Sequence, residues 1–256
     1  IQFTLAIILI CSTLVIYRQI VYIRNIDLGY QKDQIIYINT RFLDKDTEIV
    51  LQDEFRKNPH ILGVTGSNQL PLHIGNSGYG VRWEGKPDDY QPLVHTLNVD
   101  YDFLSTFGME LKEGRDFSRS VASDSNAFLI NEELARLIGK EAMVGEKLAY
   151  YTPEYGTVIG VVKDFHFKNL HHKIEPLMIF LHPGGTGIIH LKVDGYNIPA
   201  AVDYIEKVWA DIVPDRRCLY TFLDQTYEGM YRSEMRMGVI FRYFSCLAII
   251  ISCLGL

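Results

Sequence analysis

The feature that most constrains this 256-residue chain is a pair of uncharged apolar stretches, one at each end. The first runs from Ile1 to Tyr17 and meets no charge until Arg18. The second follows Arg242 and runs from Tyr243 to Leu256. A membrane-spanning helix needs about 20 mostly apolar residues to cross a hydrocarbon core of about 30 Å. Both stretches fall slightly short of that length and both are cut by the chain ends, so they are read as two spans flanking a water-soluble domain. A signal peptide is a poor reading of the first. It has no initiator methionine, no basic start and no small-residue cleavage pattern.

Between the ends, composition excludes several classes. Apolar residues make up 48% and charged residues 22%, which is globular rather than disordered. A net charge of −6 with mixed signs argues against nucleic acid, whose phosphates require a basic field. Cys11, Cys246 and Cys253 lie in the apolar ends, leaving Cys218 alone in the soluble part. No internal disulfide can therefore hold that part together, and cysteine usage leaves the compartment open.

Local patterns predict the elements. Arg18 to Asn25 extends the first apolar helix, and Gly29 suits its stop. Residues 34–39 and 93–99 read as strands, the latter with Leu93, Leu97 and Val99 on one face beside His95. Asp46 to Arg56 reads as a helix ended by Asn58-Pro59. Asn131, followed by Glu132, Glu133 and an apolar run to Gly139, reads as a capped helix. Strands are predicted over 156–162, 177–181, 188–193 and 219–223. A helix with Ala201, Val202, Ile205, Val208, Trp209 and Ile212 at helical spacing lies between the last two. From Gln225, helix is expected to run straight into the second apolar stretch. Residues 225 to 256 would then extend roughly 45 to 50 Å, leaving a stalk above the membrane. Tyr227, Met230, Met237, Phe241 and Phe244 read as one stripe of it, interrupted by Glu234. Glu228, Arg232 and Arg236 form a favourable row four residues apart. Tyr17, Tyr22, Tyr231 and Tyr243 sit where an interfacial aromatic belt is expected.

The fold class read from this pattern is α+β. A first subdomain is assembled from residues 27–100 and 187–224, and a second, 101–186, is inserted in it. The domain lies between helices 1–26 and 225–256.

Motifs for catalysis are weak. Gly80 to Lys86 matches seven positions of a phosphate-binding loop. Pro87 then replaces the required Ser/Thr and no helix follows to supply amide donors, so a strand and turn is the better reading. His166, His171, His172 and Glu175, with His182 and His190 beyond, match no zinc spacing. His95 and His190 alternate with apolar neighbours as packed strand residues do. There is no G-x-S-x-G elbow. No catalytic, cofactor or metal residue is assigned, and an enzyme is not expected.

Several strings in order resemble the extracytoplasmic part of MacB/FtsX-like ABC transporter permeases. They are Gln2-Phe3, Asn25-Ile26-Asp27-Leu28-Gly29-Tyr30, Asp100-Tyr101-Asp102-Phe103-Leu104, Gly114-Arg115-Asp116-Phe117 and Ile130-Asn131-Glu132. The most specific is Ile159-Gly160-Val161-Val162-Lys163-Asp164-Phe165-His166-Phe167, followed by Leu170-His171 and Glu175-Pro176. The exit string Ile250 to Leu256 looks like the start of that family's next span. The resemblance implies a porter-like subdomain with an inserted second one, outside a bacterial cell (inner) membrane that the chain crosses more than once. It implies a cytoplasmic ABC ATPase and a second permease half or homodimer partner, with an extracytoplasmic adaptor and membrane lipid as further partners. ATP-driven movement would pass through stalk helices, for which Tyr17, Tyr22, Tyr227, Met230, Met237 and Phe241 are the candidate coupling residues. Asp164 and His166 are read as structural. Two other readings share the layout, a two-span sensory receptor and an FtsX-like regulator of cell-wall hydrolases.

Overall fold

A computed structural model describes residues 2–140 and 142–254. The chain forms two compact units, one from Ile1–Asp27 with Gln225–Leu256 and the other from Leu28–Asp224. Helix α1 (Gln2–Asn25) is followed by strand β1 (Ile35–Asn39), helix α2 (Lys45–Phe55) and strand β2 (Ile61–Gly66). Next come β3 (Ser77–Gly78), β4 (Val81–Trp83), β5 (Val94–Val99), α3 (Phe103–Phe107) and β6 (Leu111–Gly114). A 3₁₀ turn then leads to β7 (Ala127–Asn131), α4 (Glu132–Ile138), β8 (Lys147–Tyr150) and β9 (Gly156–Val162). The chain continues through β10 (Leu177–Leu181), β11 (Ile188–Val193), α5 (Ile198–Ile212) and β12 (Tyr220–Phe222). Helices α6 (Leu223–Met230) and α7 (Arg232–Leu254) end the described chain.

In the 28–224 unit, a four-stranded sheet has the order β12-β1-β11-β2. Its partners are antiparallel, with Ile36 opposite Leu191 and Phe222. Alternation along β1 turns Ile36 and Ile38 toward α2 and α5, where they meet Leu51, Phe55, Ile205 and Trp209 in one buried cluster. Asp44 caps α2 by accepting the Thr47 N–H at 2.9 Å, and Pro199 suits the first turn of α5.

An eight-stranded mixed sheet runs β3-β5-β10-β7-β9-β8-β4, with β6 also paired to β9. Central strands β7 and β10 are rich in apolar residues because both of their faces are largely covered. The two ends of this order, β3 and β4, are joined by only Tyr79-Gly80. A two-residue step can link the first and last strands only if the sheet curls until its edges meet. The Tyr151 N–H donates to the Gly80 carbonyl at this seam, at 3.2 Å.

These pairings move a boundary. The strands of 77–99, read from sequence as part of the first subdomain ending at residue 100, belong to the larger sheet. The chain crosses from one sheet to the other at Gly66-Ser67, where Asp100 N–H meets the Gly66 carbonyl at 2.8 Å and Ser67 bridges Val99. Conversely Phe103 and Phe107 of α3, placed in the insert, pack their rings on His190 of the smaller sheet. Alternation in β5 is the same whichever sheet it joins, so pattern alone could not assign it. Where the chain returns, buried Glu48 ties α2 to the 186–187 turn. It accepts from Thr40 Oγ1 (2.6 Å), Thr186 N (2.9 Å), Thr186 Oγ1 (2.8 Å) and Gly187 N (3.1 Å).

Among the described residues, no helix is long and apolar enough to cross a membrane. The uncharged run of α1 closes at Arg18 and that of α7 begins after Arg242, so each is shorter than the about 20 residues a span requires.

Candidate functional site

In the unit formed by the chain ends, α1 and α7 pack antiparallel. Thr13 Oγ1 lies 2.6 Å from Ser245 Oγ, Ser245 also donates to the Leu9 carbonyl at 3.0 Å, and Thr13 reaches the Leu9 carbonyl at 2.8 Å. Two turns away along α7, Gly238 faces Ile16 and Ile20. A Cβ added to it would stand 2.7 Å from Ile20 Cδ1. Further along, Tyr227 donates its hydroxyl to the Ile23 carbonyl at 2.8 Å. The less exposed positions include Leu9, Thr13, Ile16, Ile20 and Ile23 on α1. Opposite them lie Tyr227, Tyr231, Glu234, Gly238, Phe241, Ser245 and Ala248. Both series step alternately by four and three residues, the 3.5-residue repeat of helices that wind around each other.

This seam differs from the stripe read in the sequence. Of the six candidate coupling residues, Tyr227 is buried, Phe241 and Met230 are half-buried, and Tyr17, Tyr22 and Met237 are exposed. Phe244, also read into the stripe, is exposed. Tyr231, read as part of an interfacial belt, is instead buried with its ring 5.1 Å from that of Tyr227. Burial raises the Tyr227 phenol above its ordinary value. Thr13, Gly238 and Ser245 were missed because a search for apolar residues passes over small and hydroxyl side chains. The heptad spacing was the signal that could have found them. The helix expected to run unbroken from residue 225 has a turn at Tyr231, whose N–H bonds the Glu228 carbonyl three residues back at 3.2 Å. Gly229 lies at this break and lowers the local helix propensity.

In the 28–224 unit, three of the resemblance strings meet in a single network. Asn131, fully buried at the N-cap of α4, makes four hydrogen bonds and uses its whole amide inventory. Its Oδ1 accepts from Leu134 N (3.0 Å) and Leu177 N (2.8 Å), while its Nδ2 donates to Asp164 Oδ1 (3.0 Å) and the Glu175 carbonyl (2.9 Å). Asp164 also accepts the Glu133 N–H at 3.0 Å, and its own N–H donates to Glu132 Oε2 at 3.1 Å. Burial, and then the Glu132 charge, push the Asp164 carboxyl above its usual range. A fourth string closes on the same strip of chain. Gly29 sits at φ +79°, where a Cβ would strike Phe165 and the Asp164 carbonyl. Leu28 accepts the His166 N–H at 2.8 Å, and Tyr30 stands edge-on to Phe107 and Phe165. A fifth string supplies its own lock, with Arg115 bidentate to Asp124 at 2.7 and 2.6 Å. Most of these contacts tie side chains to backbone and order the fold around Asn131 and Gly29.

The histidines scatter. His190 is fully buried on Ser67 Oγ at 2.7 Å, and burial pushes it down to about 3, so it is neutral. His95, almost fully buried, lies 2.5 Å from Glu175 Oε2 and 3.2 Å from Lys168 Nζ. Burial, reinforced by the Lys168 ammonium, lowers its pKa. Among the described residues, no group of three or more histidine, cysteine and carboxylate side chains could hold a metal ion. Gly80 to Lys86 forms β4 and a turn, with no helix following.

No protein-family model and no curated protein matches the chain. Solved structures do. The periplasmic region of MacB from Actinobacillus actinomycetemcomitans superposes with a TM-score of 0.55 at 16% identity, covering 79% of this chain and 94% of that one. The extracellular domain of the noncanonic ABC-type transporter YknZ from Gram-positive bacteria gives a TM-score of 0.50 at 12% identity, covering 73% and 97%. With its four-stranded sheet, larger curled sheet and covering helices, the chain carries the α+β fold of a MacB-like extracytoplasmic domain.

Proposed function

We propose that this chain is the permease segment of an ABC transporter. Its 28–224 unit is a non-enzymatic extracytoplasmic domain, and its helices α1 and α7 relay movement driven by a cytoplasmic ATPase. The observation that carries this reading is the apolar exterior of the helix pair. Thr13, Gly238 and Ser245 let the two backbones approach within an otherwise apolar seam, while Ile7, Ile8, Leu14, Val15, Leu247 and Ile250 are each about half exposed. In water, helices bury their large apolar residues. In lipid there is no such drive, and small and hydroxyl residues let the backbones approach. The apolar faces turned outward suit membrane lipid and a second permease half. The break at Tyr231 supplies a place where one helix can bend relative to its continuation, as transmission of a conformational change requires.

The test is purification of the full-length product from its native membrane in mild detergent, with identification of what travels with it. An ABC ATPase in stoichiometric amount is the expected result. A kinase or other signalling partner recovered in its place would defeat the permease reading. Within a transporting system, Tyr227→Asp should uncouple transport from ATP hydrolysis, because it buries a charge in the seam. Met237→Asp, on the outer face, tests contact with a partner half.

A further inference from the structure

Where β3 and β4 meet, the surface holds an open cleft of about 680 Å³ lined by Tyr79, Arg82, Trp83, Lys86, Tyr151 and Tyr155. Tyr79, Tyr151 and Tyr155 are 56%, 69% and 44% exposed, so their rings present free faces to solvent. Tyr151 is nevertheless held in place. Tyr151 sits at φ +53° on Gly78 and Gly80, where any Cβ would lie within 2.7 Å of a tyrosine ring or hydroxyl. Its hydroxyl accepts the Tyr79 N–H at 3.1 Å. A non-glycine residue at positive φ is a strained conformation of the kind found at ligand clamps.

The two cations of the cleft are bound in an unusual way. Arg82 donates to the Thr152 carbonyl and lies 5.5 Å from the centre of the Tyr155 ring. Lys86 lies 5.6 Å from the Trp83 ring and 3.4 Å from the Gln91 amide oxygen. Among the described residues, neither has a carboxylate within ion-pair distance, although Asp88 also lines the cleft. Aromatic faces and carbonyls position both charges without neutralising them.

We propose that this cleft docks an extended, proline-bearing acidic peptide segment of a partner protein. Flat, rigid aromatic faces suit a polyproline II backbone, which is already ordered before binding and exposes its rings to stacking. The unpaired Arg82 and Lys86 select acidic side chains along that segment.

The chain has two tryptophans, Trp83 beside the cleft and Trp209 in the other core. A Trp209→Phe variant of the full chain in detergent therefore reports on the cleft through Trp83 emission alone. It is titrated with a synthetic peptide of repeating Pro-Pro-Glu and, separately, with repeating Pro-Pro-Lys. The expected result is a saturable change with the glutamate peptide and binding at least about tenfold weaker with the lysine peptide. Tyr155→Ala and Arg82→Gln, both at the surface, should each weaken the glutamate peptide about tenfold, and Arg82→Gln should also flatten its salt dependence. Equal binding of the two peptides, indifference to both substitutions, or no saturable change would overturn the proposal. So would a saturable response to chitotetraose with none to the peptides, which would make the cleft a glycan site.

Discussion

Replacing Asn131 by alanine should cost the 28–224 unit about 3–7 kcal/mol. Loss of an N-cap costs about 1 kcal/mol. The substitution also strands the Leu177 N–H and the Glu175 carbonyl in the interior, at about 1–3 kcal/mol for each buried group left unpaired. Urea unfolding followed through Trp83 in the Trp209→Phe background reads this directly. With a slope near 3 kcal/mol per molar for a unit of this size, the midpoint should fall by about 1 to 2.3 M. Asn131→Asp makes a sharper test. It keeps both acceptors, so Leu134 and Leu177 stay satisfied. It also sets a second carboxylate about 3 Å from Asp164, where like charges cannot both ionise. The aspartate variant should therefore lose most at pH 7 and recover toward the parent near pH 4, while the alanine variant should not recover. A midpoint shift below about 0.3 M for alanine, or parallel pH behaviour of the two variants, would refute the assignment of Asn131 as the hub of this network.

Three further outcomes follow from the geometry. On a background with the native cysteines removed, Thr13→Cys with Ser245→Cys should form an intrachain disulfide, visible after proteolysis between the two helices. Adding Gly238→Leu, whose side chain collides with Ile20, should suppress that disulfide; equal yields would argue against the antiparallel seam. His190 binds a proton in the unfolded chain below its ordinary pKa of 6.5 but in the folded chain only near pH 3, so its share of stability is complete above 6.5 and declines as pH falls toward 3. The slope is at most about 1.4 kcal/mol per pH unit, and His190→Gln should remove it from the difference between denaturation midpoints at pH 7.5 and 4.5. Glu48→Gln should destabilise by about 2–4 kcal/mol, because an amide NH₂ would face donors that now meet carboxylate oxygen. Circular dichroism melting of that variant measures the loss.

Much of the 28–224 unit was legible in its sequence, and the parts that were not have physical reasons. Helix α4 could be read to the residue because Asn131 and Gly139 carry both of its ends in their own chemistry, one as acceptor and one at φ +75°. Strands β9, β10 and β11 announced themselves by apolar runs between turns. Strand β7 did not, although it is buried along its whole length, because Ala127 to Asn131 merges with the helix that follows it. The assignment of β5 to a sheet needed its partner Leu177, far away in sequence, and no local pattern holds that information. The helix pair was less legible for a different reason. An apolar stripe suits packing of the two helices against each other or against a partner half, and pattern alone does not choose between them, whereas Thr13, Gly238 and Ser245 lie in the contact and Met237 and Phe244 face outward. The aromatic cleft was overlooked because its residues come from two segments, 79–91 and 151–155, each of which reads alone as an ordinary turn.

The order of strands in the smaller sheet also sets a timetable for synthesis. Strand β1 emerges early, yet its two neighbours are β11 and β12, near the far end of the 28–224 unit. The larger sheet, with every strand between residues 77 and 181, can pair its strands before either neighbour of β1 has been made. Non-local pairing is slow and leaves apolar strand surface waiting for its partner. During that interval Ile36 and Ile38 have only α2 to lie against. Nascent chains truncated just before residue 188 should therefore hold a protease-resistant larger sheet beside a β1 segment still open to cleavage and to chaperones.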